Sequence, residues 1–294
     1  MVMRLVIAML VTCVAGLSRD RSTSVGRAAG RAAGAVHHRA DVLSTSDDLV
    51  RTLRTAIRAG KTADIAMSLH SDLDDLFSKL TPYMQRTLME QILSARDESG
   101  CTALHWSAEF GYPKVALDLL GALSEQDEKY QFMVVRNNAG RTALHRAVSC
   151  GHSEVAKLLT VASGAQAQDL LLQQDDHGNT VLHLAVQAHK EVYKKRVALI
   201  LDMVRDNVAK YQLLMVQNKR GWTALHVAAW YTRPGVANAL IAELRTTPSL
   251  LANFLAVENE DKETAYDVGK SNSMMEKLLQ KASESAKLNN IPDA

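Results

Sequence analysis

The 294-residue chain is poor in aromatic residues, glycine, proline and cysteine. Aromatic residues make up only 5%, so the core has to be built mainly from aliphatic side chains. The 15 glycines and 5 prolines are fewer than turn-rich sandwiches or barrels need. Three cysteines, Cys13, Cys101 and Cys150, supply neither a disulfide framework nor a paired metal-binding motif. With 47% hydrophobic residues, this composition favours a helical protein with a sizeable core.

Charge is unevenly distributed along the chain. The first 44 residues carry six arginines and two aspartates, so their net charge is +4, whereas the whole chain has +2. The remaining residues therefore carry −2 and lack the basic surface that nucleic-acid binding requires. The charge gives no support to a nucleic-acid partner.

The N-terminal segment has the layout of a targeting leader. An apolar stretch, Leu5 to Leu17, follows Arg4 and ends among small residues, as in a secretory signal peptide. It is too short to span a membrane as a helix, which takes roughly 20 residues. The arginine- and serine-rich stretch after it resembles an organelle transit sequence. Residues 1–44 are thus predicted to be a leader for the secretory pathway or an organelle, or else a disordered basic tail on a cytoplasmic protein.

One motif, Gly-x-Thr-x-Leu-His, occurs four times. Its copies are Gly100–His105, Gly140–His145, Gly178–His183 and Gly221–His226. A decayed copy contains Thr264, with Asp267 at the histidine position. Threonine suits the N-cap of a helix, and the leucine is placed to enter a core. A repeat of about 40 residues predicts a stack of similar helical units.

This pattern resembles the ankyrin repeat over about residues 96–281, although alanine or valine replaces the proline of the family's T-P-L-H-x-A motif. The resemblance implies a turn, a short helix, a tight bend and a longer antiparallel helix in each repeat. It also implies that the histidines hydrogen-bond within and between turns. Glycines at 111 and 151 fit the bend, whereas His189 in the third repeat predicts a distorted one.

An apolar pair recurs nine and ten positions before each threonine and predicts an extra helical turn in every repeat. The pairs are Ile92-Leu93, Phe132-Met133, Leu170-Leu171, Leu213-Leu214 and Phe254-Leu255. We therefore expect an all-α, ankyrin-like helical solenoid of about four full repeats over residues 45–285. N-terminal and C-terminal capping repeats complete it, the first between Asp47 and Leu73 with its bend at Gly60, and the second with a polar outer face. Residues 286–294 are predicted to be a disordered tail.

No catalytic, cofactor-binding or metal-binding residue is predicted. Equivalent histidines in successive repeats are separated by about 10 Å, the distance between packed helices, so they cannot share a metal ion. Neither Cys101 nor Cys150 has the partners of a catalytic nucleophile, and phosphate-binding loops are missing from the sequence. These observations argue against an enzyme.

The resemblance implies instead a partner-binding surface on the turn tips and the first helices. The residue before each threonine is expected at a tip, and the fourth and fifth residues after each histidine in the groove. The predicted protein-binding residues are Phe110, Arg141, Lys219, Arg220, Trp222, Trp230 and Tyr231. Packing of the aromatic side chains against the neighbouring tip is the alternative. Trp106 is predicted to belong to the core.

The predicted function is a protein-interaction scaffold or adaptor that binds a protein of unknown identity as a monomer, without nucleic acid or a membrane span. Two alternatives stay open. One is a secreted ankyrin-like effector that acts on another cell's proteins. The other is a non-catalytic regulatory subunit of an enzyme complex.

Overall fold

A computed structural model describes residue 90 and residues 93–188, 193–204 and 206–288. The predicted leader, the N-terminal capping repeat, Ile92 and His189 lie outside the described residues. The chain divides into two compact units between Ala139 and Gly140. Each unit is considered separately below.

Three helices lie wholly within the described part of the first unit. They are α1 Ala103–Phe110, α2 Pro113–Gly121 and α3 Gln126–Met133. Helices α1 and α2 pack against each other. Their buried side chains include Leu104, Trp106 and Leu119, so Trp106 lies in the core as the sequence predicts.

The second unit repeats the same order of three helices. Its helices are α4 Ala143–Cys150, α5 Ser153–Ala162, α6 Ala167–Leu172, α7 Val181–Gln187, α8 Tyr193–Met203, α9 Asn207–Met215, α10 Ala224–Trp230, α11 Pro234–Ala242, α12 Pro248–Leu255, α13 Ala265–Gly269 and α14 Ser273–Leu288. Helices α4, α7, α10 and α13 contact one another in series, as do α5, α8, α11 and α14. The predicted all-α fold of stacked helical repeats is confirmed.

The third helix of each repeat is the insertion that the apolar pairs predict. Helix α6 contacts α9, and α9 contacts α12, so these helices form a row of their own in the second unit. Both members of the pairs at 132–133, 170–171 and 213–214 are buried. Phe254 is buried and Leu255 is half-buried. Burying such side chains contributes about 1.5–3 kcal/mol each, which offsets the entropy cost of ordering the insertion.

Each first helix begins directly after a motif threonine. These threonines have extended backbone conformations and are the N-caps of α1, α4, α7, α10 and α13. Every cap is a reciprocal capping box, in which the side chain three residues later bonds back to the threonine. The motif threonines are therefore helix starts.

The bend after the first helix needs a left-handed backbone conformation. Gly111 and Gly151 adopt it with φ of 75° and 85°. In the fourth repeat Thr232 occupies the same position with φ of 50°. Its side chain is β-branched, for which this conformation is strained.

Helix α14 covers the C-terminal end of the stack. It packs on α11, α12 and α13 through Met275, Leu279, Ala282 and Ala286. It ends at Leu288, three residues beyond the predicted end of the solenoid at residue 285. Apart from Met274, the exposed side chains of this helix are polar, as the sequence predicts. Among the described helices, none has the length and apolar character needed to cross a membrane.

The strain at Thr232 gives a testable expectation. Thr232→Gly should stabilise the protein by about 1 kcal/mol, since a left-handed conformation costs other residues more than it costs glycine. Urea unfolding measures this change. Thr247→Gly is the matched control, because Thr247 is also exposed but has φ of −130°. That change should destabilise by about 0.5 kcal/mol, and equal effects of the two substitutions would contradict the argument.

Candidate protein-binding surface

Each turn tip is closed by an Asp or Asn side chain five positions before the motif threonine. The residues are Asp97, Asn137, Asp175, Asn218 and Asn259. In the second unit, each Oδ1 atom accepts hydrogen bonds from two backbone N–H groups of its own tip. The regular Asx spacing is visible in the sequence, but the sequence analysis missed it. These side chains make the tips rigid.

Neighbouring tips of the second unit are joined through their backbones. The N–H of Lys219 donates to the carbonyl of His177 over 3.0 Å, and the N–H of Glu260 donates to that of Arg220 over 3.1 Å. A Cβ atom on Gly178 would lie 2.6 Å from the Lys219 nitrogen, so only glycine allows this approach. The tips of repeats three to five therefore form a row with fixed spacing.

In the second unit, the motif histidines connect each repeat to the next. His183 accepts a hydrogen bond at Nδ1 from the Thr180 backbone N–H over 3.2 Å. Its Nε2 lies 2.9 Å from the carbonyl oxygen of Trp222 in the following repeat. Since a carbonyl only accepts, Nε2 must carry the proton, and the ring is neutral. His145 and His226 repeat this arrangement with the carbonyls of Asn179 and Glu263.

Burial opposes protonation of these rings. It lowers the pKa of His145 and of His183 to about 4, and it also lowers the pKa of His226. Protonating Nδ1 would moreover place its hydrogen against the threonine N–H donor. The histidines have a structural role that depends on the neutral form.

Asp267 replaces the histidine in the fifth repeat and performs only half of this role. Its Oδ2 accepts from the backbone N–H and the hydroxyl of Thr264, over 3.0 and 2.7 Å. These bonds lower the pKa of Asp267. An ionised carboxylate accepts hydrogen bonds and can therefore cap the helix. It has no N–H group that could donate to a carbonyl of a following repeat.

The predicted aromatic residues of the fourth repeat come together. The Trp222 and Trp230 ring centroids are 5.4 Å apart and their planes are inclined by 59°. Trp222 is half-buried, whereas Trp230 and Tyr231 are 62% and 45% exposed. Trp222 contacts Trp230 of its own repeat, and Trp230 and Tyr231 project to solvent.

Arg233 is buried and contacts the Tyr231 ring of this surface. The sequence did not predict this role. The Arg233 guanidinium lies 4.5 Å from the ring centre of Tyr193 and 5.0 Å from that of Tyr231. It donates to the carbonyls of Val186 and Gln187 at the end of α7. Burial lowers the pKa of this guanidinium, whose charge is balanced by carbonyl dipoles and ring faces. Arg233 therefore holds Tyr231 against the preceding repeat.

The other predicted binding residues have different surroundings. Lys219 and Arg220 are exposed at the tip of the fourth repeat. Arg141 is half-buried, and its Nε lies 3.3 Å from Oδ2 of Asp175. Phe110 belongs to the first unit, where it stacks on Trp106 at a centroid distance of 5.9 Å. The structure thus groups the predicted residues of the fourth repeat.

The position before the motif threonine is not uniformly exposed. Cys101 and Asn179 are buried, and Asn179 accepts a side-chain hydrogen bond from Asn218 over 2.9 Å. At both positions the backbone N–H bonds to the Asx side chain of its own tip, and the side chain contacts the Asx residue of the next tip along the chain, Asn137 for Cys101 and Asn218 for Asn179. The expectation of an exposed stripe is therefore wrong at these two positions.

Within the described ranges, no group of three or more His, Cys, Asp or Glu side chains could hold a metal ion. Cys101 is buried and Cys150 is exposed, and both are free thiols. The surface consists of aromatic rings and charged tips.

The model of the ankyrin-repeat family matches the chain in three copies, over residues 53–170 and 129–198. The chain belongs to this family. No curated protein matches it. Among solved structures, the complex of the Bd0816 predatory endopeptidase with immunity protein Bd3460, from Bdellovibrio bacteriovorus, contains a similar chain. The two chains are 27% identical with a TM-score of 0.51, and the match covers 78% of this chain and 96% of that chain.

The neutral histidines predict a stability that depends on pH. In the unfolded chain they titrate near pH 6.5, but the folded-state pKa of His145 and His183 is about 4. The unfolded state therefore binds more protons in this window, so the free energy of unfolding is greatest above pH 6.5 and falls toward pH 4. Each of the two rings contributes about 3 kcal/mol to this loss.

His183→Gln tests this dependence, because glutamine can form a capping box without titrating. The variant should be less stable at neutral pH, and its unfolding free energy should fall less on acidification. Urea unfolding at a series of pH values measures both effects. His177→Gln, at an exposed tip position, is the control. Equal pH slopes for His183→Gln and the unmodified protein would contradict the assignment.

Proposed function

We propose that the chain is a non-catalytic protein-binding module and that the fourth repeat carries its partner-binding surface. Ankyrin repeats are typical interaction modules, which supports the general function. The observation that supports the location is the exposure of Trp230 and Tyr231 beside Trp222. Tryptophan, tyrosine and arginine dominate the binding energy of protein interfaces.

The rigidity of this surface favours binding. Arg233 contacts the Tyr231 ring, and Trp222 contacts the Trp230 ring, so the partner meets rings that are already held in place. Preorganised side chains lose less conformational entropy when a partner binds. The strained Thr232 immediately follows these rings, and backbone strain is concentrated at functional sites. Arg141 and Phe110 stay predictions outside this proposed surface.

A second candidate function is that of a non-catalytic protein bound to an enzyme. The similarity to a chain from a complex of an endopeptidase with an immunity protein supports it. An enzyme that copurifies with this chain and regains or loses activity on separation would identify such a role. The same aromatic surface would then contact that enzyme.

The alternative of a secreted effector depends on the predicted leader. Sequencing the N-terminus of the mature protein distinguishes the possibilities. A start near Leu17 indicates secretion, a start near Ala40 indicates a transit peptide, and an intact Met1 contradicts both.

The aromatic surface is tested by the double substitution Trp230→Ala and Tyr231→Ala. We expect the affinity for a copurified partner to fall at least about tenfold, because these two rings are the most exposed aromatic side chains among the described residues. Surface-plasmon resonance measures the affinity, and thermal unfolding checks the fold. Val161→Ala with Val208→Ala is the matched control, since both valines are exposed apolar residues elsewhere in the second unit. Unchanged affinity of the folded aromatic variant would show that the surface is misplaced.

A further inference from the structure

Two neighbouring tips carry opposite charges. The fourth tip, residues 217–222, presents Lys219 and Arg220 to solvent. The fifth tip, residues 258–263, presents Glu260 and Asp261. Lys262, on the fifth tip, lies 3.8 Å from Glu258, which leaves the other acidic residues in excess.

Within the described part of the chain, these charges are not neutralised by ion pairs. Lys219 and Arg220 form no ion pair there, and neither do Glu260 and Asp261. The two tips are nevertheless adjacent, because the Glu260 N–H donates to the Arg220 carbonyl over 3.1 Å. Asn218 and Asn259 hold each tip in a closed turn. The opposite charges are therefore presented outward on two tips that are in direct backbone contact.

The charged tips are continuous with the aromatic surface. Trp222 follows Arg220 after one glycine, and its ring contacts that of Trp230. A segment that touches the fourth tip can therefore also touch the exposed rings. Charge arranged around such an apolar centre sets the register of a partner and rejects those with the wrong order of charges.

Resting on the function proposed above, we propose that the partner supplies an extended peptide segment with one defined order of charges. An acidic residue of this segment faces Lys219 and Arg220, and a basic residue faces Glu260 and Asp261. These two residues are close together in the segment, because the two tips that they face are in direct backbone contact. An apolar side chain of the segment rests on Trp230 and Tyr231.

The same charges disfavour a nucleic acid. Phosphates would be attracted by the fourth tip but repelled by Glu260 and Asp261 beside it. A polyanion cannot satisfy both tips, whereas a peptide that carries both signs can. The bipolar pattern therefore points to a protein segment.

Selection of a phage-displayed library of random linear dodecapeptides on the full chain tests this proposal. The enriched peptides should contain an acidic and a basic residue close together in the sequence, together with an aromatic or aliphatic residue. Absence of enrichment, or an enriched pool without paired charges, would overturn the proposal. Synthetic copies of the most enriched peptides then serve as defined ligands.

Charge reversal tests which tip faces which residue. Lys219→Glu with Arg220→Glu should weaken peptide binding at least about tenfold at low salt, and much less at high salt, where screening is stronger. Reversing the peptide's acidic residue to lysine should restore affinity for this variant. Lys277→Glu with Lys281→Glu, an equal change in net charge on exposed positions of α14, is the control and should have no effect. Glu260→Lys with Asp261→Lys should respond to the opposite reversal in the peptide.

The aromatic variant separates this inference from the function on which it rests. The peptides could lose affinity for the variant with Trp230→Ala and Tyr231→Ala but keep it for the charge-reversed variants. That result would overturn the proposed order of charges and would still support the aromatic surface. Peptides that bind the folded aromatic variant with unchanged affinity would contradict both.

Discussion

In the second unit, hydrogen bonds at both imidazole nitrogens of each motif histidine join one repeat to the next. The Nδ1 atom accepts from the threonine that starts its own helix, and Nε2 donates to a carbonyl in the following tip. A side chain with only one of these bonds could cap a helix, as Asp267 does, but could not set the position of the next tip. The row of tips, and the surface that it carries, depends on this neutral ring.

The row of tips brings side chains of neighbouring repeats together into the proposed binding surface. Backbone bonds between tips fix the spacing of Lys219 and Arg220 relative to Glu260 and Asp261. Arg233 contacts the Tyr231 ring and donates to the carbonyl of Gln187, the last residue of α7 in the preceding repeat. A partner bound to the proposed surface would therefore meet charges and rings that are already positioned, and its specificity would follow from their order rather than from any single residue.

The sequence predicted those parts of the fold in which short-range chemistry repeats. The threonine caps, the buried leucines and the apolar pairs of the third helices recur at one position in each repeat, and their structural roles are local. The left-handed conformation of Thr232 was not predicted, because the glycine that indicates this conformation in other repeats is replaced there. The bend keeps the conformation nevertheless. Tertiary packing imposes that conformation against the preference of the residue.

The amino-acid sequence by itself determined the helical repeats, their lengthened form and the grouping of aromatic and cationic residues in the fourth copy. Only the tertiary structure decided which of these side chains reach solvent. Arg141 is paired with Asp175 of the following tip, and Asn179 is buried and bonded to Asn218 of the tip after its own. Exposure depends on contacts between residues about 30 to 40 positions apart, in repeats that are neighbours only after folding, so a periodic pattern along the chain cannot report it.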